Sequence, residues 1–561
     1  MDVSTNFDTG EAAGQSMARA NKLPDQDPSD IDEITANPCL PFARVAFVSG
    51  SQVVALIEND RAHLLEQVQV GTLVKIDTPG STAVGIISTL SVPLPADGPG
   101  KSDLMTVEIE LLGEILGECT FQRGVTWPPQ LNAVVTTTSE RDLKLVYARP
   151  EKETARIGTI YQNYNIPGYI MPNELLGRHF AIVGTTGCGK SCTATLILRA
   201  LIEERPFAHI LVLDPHNEYA AAFPDAAIVH DTSNLELPFW MLEFNELLEI
   251  IAGTGHRLDQ AETSILEDAI LAGKRQAGRP RGKGRASRRK VTVDTPVPYR
   301  LNELIQYIDQ SMGRIGKATS AAPYLKIMAR LTSLQNDPRY GFMFGSLSVR
   351  DNMREILAQL FRVPSDGKPI SIVDLSGVPS EVINVVVSVL CRLTFDFAML
   401  SNRQVPILLV CEESHRYAPK DQGSDFEPTK RALSRIAKEG RKHGVSLCLI
   451  SQRPAEIETG TLSQCSTIFA MRLTNEADQA VLKAIVSDSA LGFAQSLPSL
   501  SNGEAIAVGE GVPVPMRLRL DELAEDQRPC SETADFSAKW RDNIDDQDFL
   551  TDIVDRWRNQ R

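Results

Sequence analysis

Residues 184–192 read "GTTGCGKSC". Gly184, Gly189, Lys190 and Ser191 have the full spacing of a phosphate-binding loop, G-x-x-x-x-G-K-[ST]. Glycines let such a loop wrap so that backbone N–H groups point inward, and the following helix adds partial positive charge at its N-terminus. Thr185, Thr186, Gly187 and Cys188 fill the loop and Cys192 follows it. In this reading Lys190 holds the β- and γ-phosphates of ATP, and Ser191 places its hydroxyl on Mg²⁺. The alternative, a glycine-rich turn with a solvated lysine, does not explain a serine directly after the lysine at a helix start.

Binding alone does not cleave a triphosphate; cleavage needs a carboxylate near the metal and a group that orients water. "ILLVCEES" (407–414) supplies two acids where an apolar strand ends. Glu412 would sit near the metal and Glu413 would polarise the water; otherwise they are two exposed acids at a strand end. Asp214 closes "HILVLD" and opens "DPHNEY", where it faces the ligand crevice of an open sheet or simply begins an Asp-Pro turn. Gln452 follows "VSLCLIS", as a γ-phosphate sensor or as part of a surface turn. Arg435, Arg441 and Lys442 lie on the segment leading into that strand, and composition alone selects none of them as an arginine finger.

The elements that must position these residues are legible in the apolar runs. "HFAIVG" (179–184), "HILVLD" (209–214), "PISIVDL" (369–375), "PILLVCEE" (406–413), "VSLCLIS" (445–451) and "STIFAMRL" (466–473) are unbroken, and most are separated by helical patterns. Strands buried on both faces look this way, which predicts an α/β fold with a parallel sheet and helices on both sides. Between the second and third runs lie roughly 150 residues of helical texture, too many for one crossover, and they predict a helical insertion. Before residue 152, short β-rich runs separated by Gly, Pro and Asp turns predict a small antiparallel barrel. The expected division is a disordered acidic tail (1–38), a barrel (39–152), an ATPase core in two parts (153–235 and 346–525) around an insertion (236–345), and a C-terminal tail (526–561). In that tail Phe549, Leu550, Ile553, Val554 and Trp557 fall at helical spacing, which predicts a terminal helix docking on its own domain, or else on a partner.

The net charge of −15 argues against uniform coating by nucleic acid, without excluding a local basic patch. One stretch is strongly basic: "GKRQAGRPRGKGRASRRK" (273–290) holds Lys274, Arg275, Arg279, Arg281, Lys283, Arg285, Arg288, Arg289 and Lys290 with no acid. It reads as a DNA-grasping arm or as a solvated linker. The nine cysteines form no C-x-x-C pair and no metal-spaced cluster, as expected of a reduced, cytoplasmic chain. The longest apolar segment, from Val382, is broken by Asn384, Arg392 and Asp396, so it predicts a buried helix and no membrane span. No secretory leader is expected.

The segments "RHFAIVGTTGCGKS", "DPHNEY", "VDLSGVPSEV", "VCEESHRYAP", "KEGRKHGVSLCLISQRP" and "GEAIAVGEGVPVPMRLR" together resemble the HerA branch of the HerA/FtsK ATPases, in order, over about residues 43–525. The resemblance implies a RecA-like core, a homo-hexameric ring with double-stranded DNA in its pore, and ATP sites between subunits. It implies a nuclease or other effector docking on the barrel, and work in DNA end processing or anti-phage defence. It favours Gln452 as sensor, Arg441 as a finger entering the neighbour's site, and Arg178 as an arginine acting within its own subunit. Asp214 and Glu218 match a family motif near the site, whereas Glu412 departs from the more usual Asp. Two rivals share the same nucleotide site: a ring scaffold that activates an effector, and a secretion or conjugation pump.

Overall fold

The computed structural model describes residues 40–57, 68–92, 105–117, 120–253, 256–277, 291–314, 320–345, 350–420, 427–485, 495–530, 536–541 and 547–559. The expected disordered tail (1–38) and most of the basic stretch lie outside them. Strands β1 (Pro41–Ser49), β2 (Gln52–Ile57), β3 (Leu73–Asp77), β4 (Thr82–Ser91), β5 (Met105–Leu116), β6 (Thr120–Arg123) and β7 (Val134–Thr137) form one antiparallel sheet. Its order is β2-β1-β7-β3-β4-β5-β6, and a further β2–β5 pairing closes the first six into a barrel. Alternation explains the closure: Val53, Ala55, Val74, Ile76, Val107 and Ile109 point inward and are buried, so no edge of these strands stays open.

The second sheet has eleven strands: β8 (Ala155–Ile160), β9 (Asn163–Ile170), β10 (His179–Val183), β11 (Ile210–Asp214), β12 (Ala227–His230), β13 (Ile370–Asp374), β14 (Ile407–Cys411), β15 (Val445–Ser451), β16 (Cys465–Ala470), β17 (Glu504–Gly509) and β18 (Met516–Leu520). Their order is β12-β13-β11-β14-β15-β10-β16-β17-β18-β8-β9. The six apolar runs are all strands of its parallel part, joined at one edge by the short β12. Beyond β16 the sheet turns antiparallel through β17, β18, β8 and β9. Every residue of β10, β11, β13, β14 and β15 is buried, as two-faced helix cover requires.

Among the described residues between β12 and β13 run five helices of eight residues or more: Phe244–Ala252, Gln260–Ala277, Leu301–Met312, Ala322–Asn336 and Met353–Leu360. A buried ion pair fastens them to the core. Arg392, on the helix Ile383–Leu400, donates to both oxygens of Glu246 (3.1 and 3.0 Å) and to the Met241 carbonyl (2.8 Å). That helix is the one among the described residues long and apolar enough to cross a membrane, and 61% of it is buried inside the molecule.

The barrel is latched to the core by Arg123, whose guanidinium donates to the carbonyls of Gly509, Val512 and Pro513 in the β17–β18 turn. On the C-terminal helix Gln547–Asn559, Phe549, Leu550, Ile553 and Val554 remain 37–64% exposed.

Candidate functional site

Because β10, β11, β14 and β15 run parallel, their C-terminal ends share one edge of the sheet, and the predicted groups emerge there together. The loop 184–189 leaves β10 and turns into the helix Lys190–Glu203. Gly189 caps that helix at φ 105°, a left-handed conformation that leaves the first N–H groups of the helix pointing out of its end. Gly184 is fixed by crowding: a Cβ there would come within 2.7 Å of Cys188 Sγ and 2.8 Å of Met471 Cβ. Cys188 is buried against Met471, so the thiol supports the loop from below while Cys192 stays exposed one turn on.

The loop is pinned on both sides. On one, the Arg472 carbonyl accepts from the Thr185 amide (2.8 Å) and hydroxyl (3.1 Å). On the other, Thr186 Oγ1 donates to Gln452 Oε1 (2.5 Å), which joins the loop to the end of β15. Lys190 is buried and its ammonium donates to the Thr185 carbonyl (3.2 Å), a bond that an incoming phosphate can replace. Ser191 Oγ donates to Glu218 Oε2 (2.6 Å).

Glu412 and Glu413 close β14, two strand positions from β10, or about 10 Å across the sheet. Glu412 is 3% exposed and accepts from Tyr219 Oη (2.5 Å). Burial pushes its carboxyl up to about 8, against the opposing Tyr219 hydrogen bond, and the charges of Glu413 and Glu218 push the same way. It is therefore protonated near neutrality in the free chain. Glu413 has φ 50°, a left-handed conformation rare for a side-chain-bearing residue. It is 8% exposed, and its Oε2 is a buried oxygen without a hydrogen-bond partner. His415 Nδ1 lies 3.2 Å away but engages Ser451 Oγ, and burial holds the imidazole below its usual range, so it is neutral. An unpaired buried carboxylate oxygen costs energy unless something polar is meant to reach it.

Three expectations change. Asp214 is fully buried, and its two oxygens accept from the amides of His216 (3.1 Å) and Tyr219 (2.9 Å); it orders the loop 214–219 and does not face a ligand. Arg178 precedes β10 while the phosphate loop follows it, so a five-residue strand of about 17 Å separates them. It pairs with Glu510 at that far edge and cannot reach the site of its own chain. Lys274 is 1% exposed, donates to the carbonyls of Val293 (2.5 Å) and Thr295 (2.8 Å), and burial pushes its ammonium down to about 8. It is a pin within the insertion, not a DNA contact. Arg275 is exposed at the end of its helix, and Arg279, Arg281, Lys283, Arg285, Arg288, Arg289 and Lys290 lie outside the described residues.

Arg441 sits in the last turn of the helix Glu427–His443, just before β15 begins. That puts it at the same far edge as Arg178, with His179 between them: Leu447 N–H donates to His179 Nδ1 (3.0 Å) and His179 Nε2–H donates to the Ala437 carbonyl (3.0 Å). Sequence reasoning missed Tyr219, Met471, Arg472 and His415 as parts of the site. Tyr219 stands inside the quoted "DPHNEY", but nothing in a linear pattern says that its hydroxyl crosses to the acid ending β14.

The oxygen donors Ser191, Glu218 and Glu412 suit Mg²⁺, which takes one or two carboxylates and completes its shell with phosphate and water. Among the described residues no group of three or more His, Cys, Asp or Glu is placed to hold a metal ion.

Residues 155–394 match the family model described as helicase HerA, central domain. The DNA double-strand break repair helicase HerA of Pyrococcus furiosus is 24% identical over 463 residues, covering 76% of this chain and 79% of the relative. That of Sulfolobus acidocaldarius is 23% identical over 556 residues, covering 91% and 99%. Among solved structures, VirB4 of Thermoanaerobacter pseudethanolicus is 16% identical with a TM-score of 0.47, covering 68% of this chain and 99% of that one. The plasmid coupling protein TrwB in complex with ADP and Mg²⁺ is 14% identical with a TM-score of 0.43, covering 67% and 92%.

Proposed function

We propose that this chain, a P-loop ATPase of the HerA type, is an ATP-driven translocase that moves double-stranded DNA through a homo-hexameric ring. The observation that carries the reading is the shared edge where the pinned loop 184–191, Gln452 and the unpaired oxygen of Glu413 converge. Lys190 exchanges its bond to the Thr185 carbonyl for the β- and γ-phosphates. Gln452, held to Thr186, feels whether a γ-phosphate is present. Glu413 Oε2 accepts a hydrogen bond from the attacking water and aims it. Ser191, Glu218 and Glu412 would hold Mg²⁺, which when bound neutralises charge on the phosphates.

A finger for the leaving phosphate comes from another subunit in this reading. Arg178 and Arg441 both stand on the far edge of the sheet, where a head-to-tail neighbour would present its nucleotide. The relatives are DNA repair helicases by name, and this supports DNA as the substrate. A nuclease or other effector docking on the closed barrel, in end processing or anti-phage defence, follows the same resemblance.

The test is ATP turnover of the full chain with and without linear duplex DNA, with Lys190→Ala as the inactive control. The expected result is turnover that duplex DNA stimulates and Lys190→Ala abolishes, accompanied by displacement of a triplex-forming strand as the motor passes. Turnover indifferent to DNA, with no strand displaced, would leave an ATPase that gates an effector and overturn the translocase.

A further inference from the structure

With Arg178 on the far edge, the site has room for a different arginine of its own chain. β16 flanks β10 on the side away from β15, and it runs parallel to β10, so residues 471–473 emerge beside the phosphate loop. Met471 forms the floor: its Sδ accepts from Thr193 Oγ1 (3.3 Å) and from the Cys188 thiol (3.9 Å), and its Cε would touch a Cβ at Gly189. Arg472 comes next. Its carbonyl holds Thr185 through two bonds, which anchors its Cα at the rim of the loop. The residue is half-buried, its guanidinium bond is exposed, and its charge reaches the Cys188 thiol within the loop. That guanidinium donates to a neutral group, Nη2 to Asn502 Oδ1 (2.9 Å), in the turn ahead of β17. A neutral amide is a weaker partner for a guanidinium than an anionic oxygen.

We propose that Arg472 is the nucleotide-binding arginine of its own subunit, and that its guanidinium exchanges Asn502 for the phosphate chain of the bound nucleotide. This rests on the nucleotide-site reading above. The exchange costs little, because one hydrogen bond to an amide oxygen is given up for charge-assisted bonds to phosphate. The residues that hold the loop in shape use only the Arg472 backbone, so the side chain is free to move without the loop collapsing.

The experiment measures binding of ATP, ADP and adenosine to the full chain in Mg²⁺, in the hydrolysis-deficient Glu413→Gln background, for Arg472→Ala, Arg472→Lys, Asn502→Ala and the Arg472→Ala/Asn502→Ala pair. The expected result is that Arg472→Ala weakens ATP and ADP roughly 10–100-fold, the range of a charged hydrogen bond, and leaves adenosine unchanged. Arg472→Lys recovers part of the loss. Asn502→Ala tightens ATP a few-fold, and only while Arg472 is present. The thermal midpoint without nucleotide stays put, since Arg472→Ala retains both bonds to Thr185. ATP binding by Arg472→Ala within about twofold of the parent overturns the proposal, and so does an Asn502→Ala effect that persists without Arg472. A parent that fails to bind ATP at all overturns the nucleotide site itself, a separate and distinguishable failure.

Discussion

Replacing Glu413 by glutamine isolates the atom to which the proposed cleavage step assigns the attacking water. The substitution keeps the shape of the side chain and its left-handed backbone but exchanges a carboxylate oxygen for an amide. In the free chain Oε2 has no hydrogen-bond partner, so no existing bond is broken, and the fold should lose at most about 1–3 kcal/mol from one unsatisfied polar group. The catalytic loss is larger. A positioned base contributes roughly 10²–10⁴ in rate, or about 3–5 kcal/mol in the barrier. ATP affinity should hold or tighten, because one negative charge leaves the neighbourhood of the phosphates. The assay is single-turnover hydrolysis of radiolabelled ATP alongside equilibrium binding of the same nucleotide. Cleavage within about tenfold of wild type would place the water-orienting role elsewhere. A large loss of ATP binding would show instead that Glu413 helps to hold the nucleotide.

Glu412 makes a prediction about pH. Its carboxyl titrates at about 8 in the folded chain against an ordinary 4.5, so between those values the folded state keeps a proton that the unfolded state loses. Stability of the chain without nucleotide and Mg²⁺ therefore falls as pH rises from 5 to 8, by up to about 1.4 kcal/mol per pH unit from this group. Glu412→Gln lacks the penalty, so denaturant titrations should show its advantage over wild type widening across that range; a constant gap would mean that Glu412 is ionised throughout. Arg178→Ala and Arg441→Ala should each lose roughly 10³-fold or more in turnover if they act as fingers. Each should regain turnover when mixed with Lys190→Ala subunits, whose arginines are intact. An arginine serving its own phosphate loop gives no rescue at any ratio, and that outcome for either residue would return it to its own subunit.

How much of this was legible in the sequence depends on whether a feature is local. The loop 184–191 is local: its glycines, lysine and serine follow one another along the chain, and the structure forms it as read. The six apolar runs were likewise visible as strands, because burial on both faces leaves a run of Val, Ile and Leu. What was hidden depends on strand order. Arg178 lies twelve residues before Lys190, near in sequence, yet a strand traversed end to end puts it on the wrong edge. Lys274 shares a basic stretch with eight other cations, and only the packing of Tyr299 and of the carbonyls at 293 and 295 shows it turned inward. The antiparallel extension β17-β18-β8-β9 joins two segments more than 300 residues apart, which no local pattern announces. Arg472 is ordinary by composition and acquires its meaning from β16 lying next to β10.

In the proposed reading, the two edges of the sheet divide the hydrolytic site between neighbouring chains. At one edge stand Lys190, Gln452, Glu413 and Arg472, all at C-terminal ends of parallel strands. At the other stand Arg178 and Arg441, at the N-terminal ends of β10 and β15. A two-fold contact between like edges would set nucleotide site against nucleotide site and leave both arginines outside it. A head-to-tail contact would set one chain's arginines against the next chain's phosphates, and repeating it with a closing rotation would give a ring. The strand β17 spans the same distance: the turn holding Asn502, beside Arg472, precedes it, and Glu510, which holds Arg178, follows it. In the proposed reading, nucleotide contacts at one edge and neighbour contacts at the other would thus meet on a single strand, and that strand ends in the turn that Arg123 of the barrel grips.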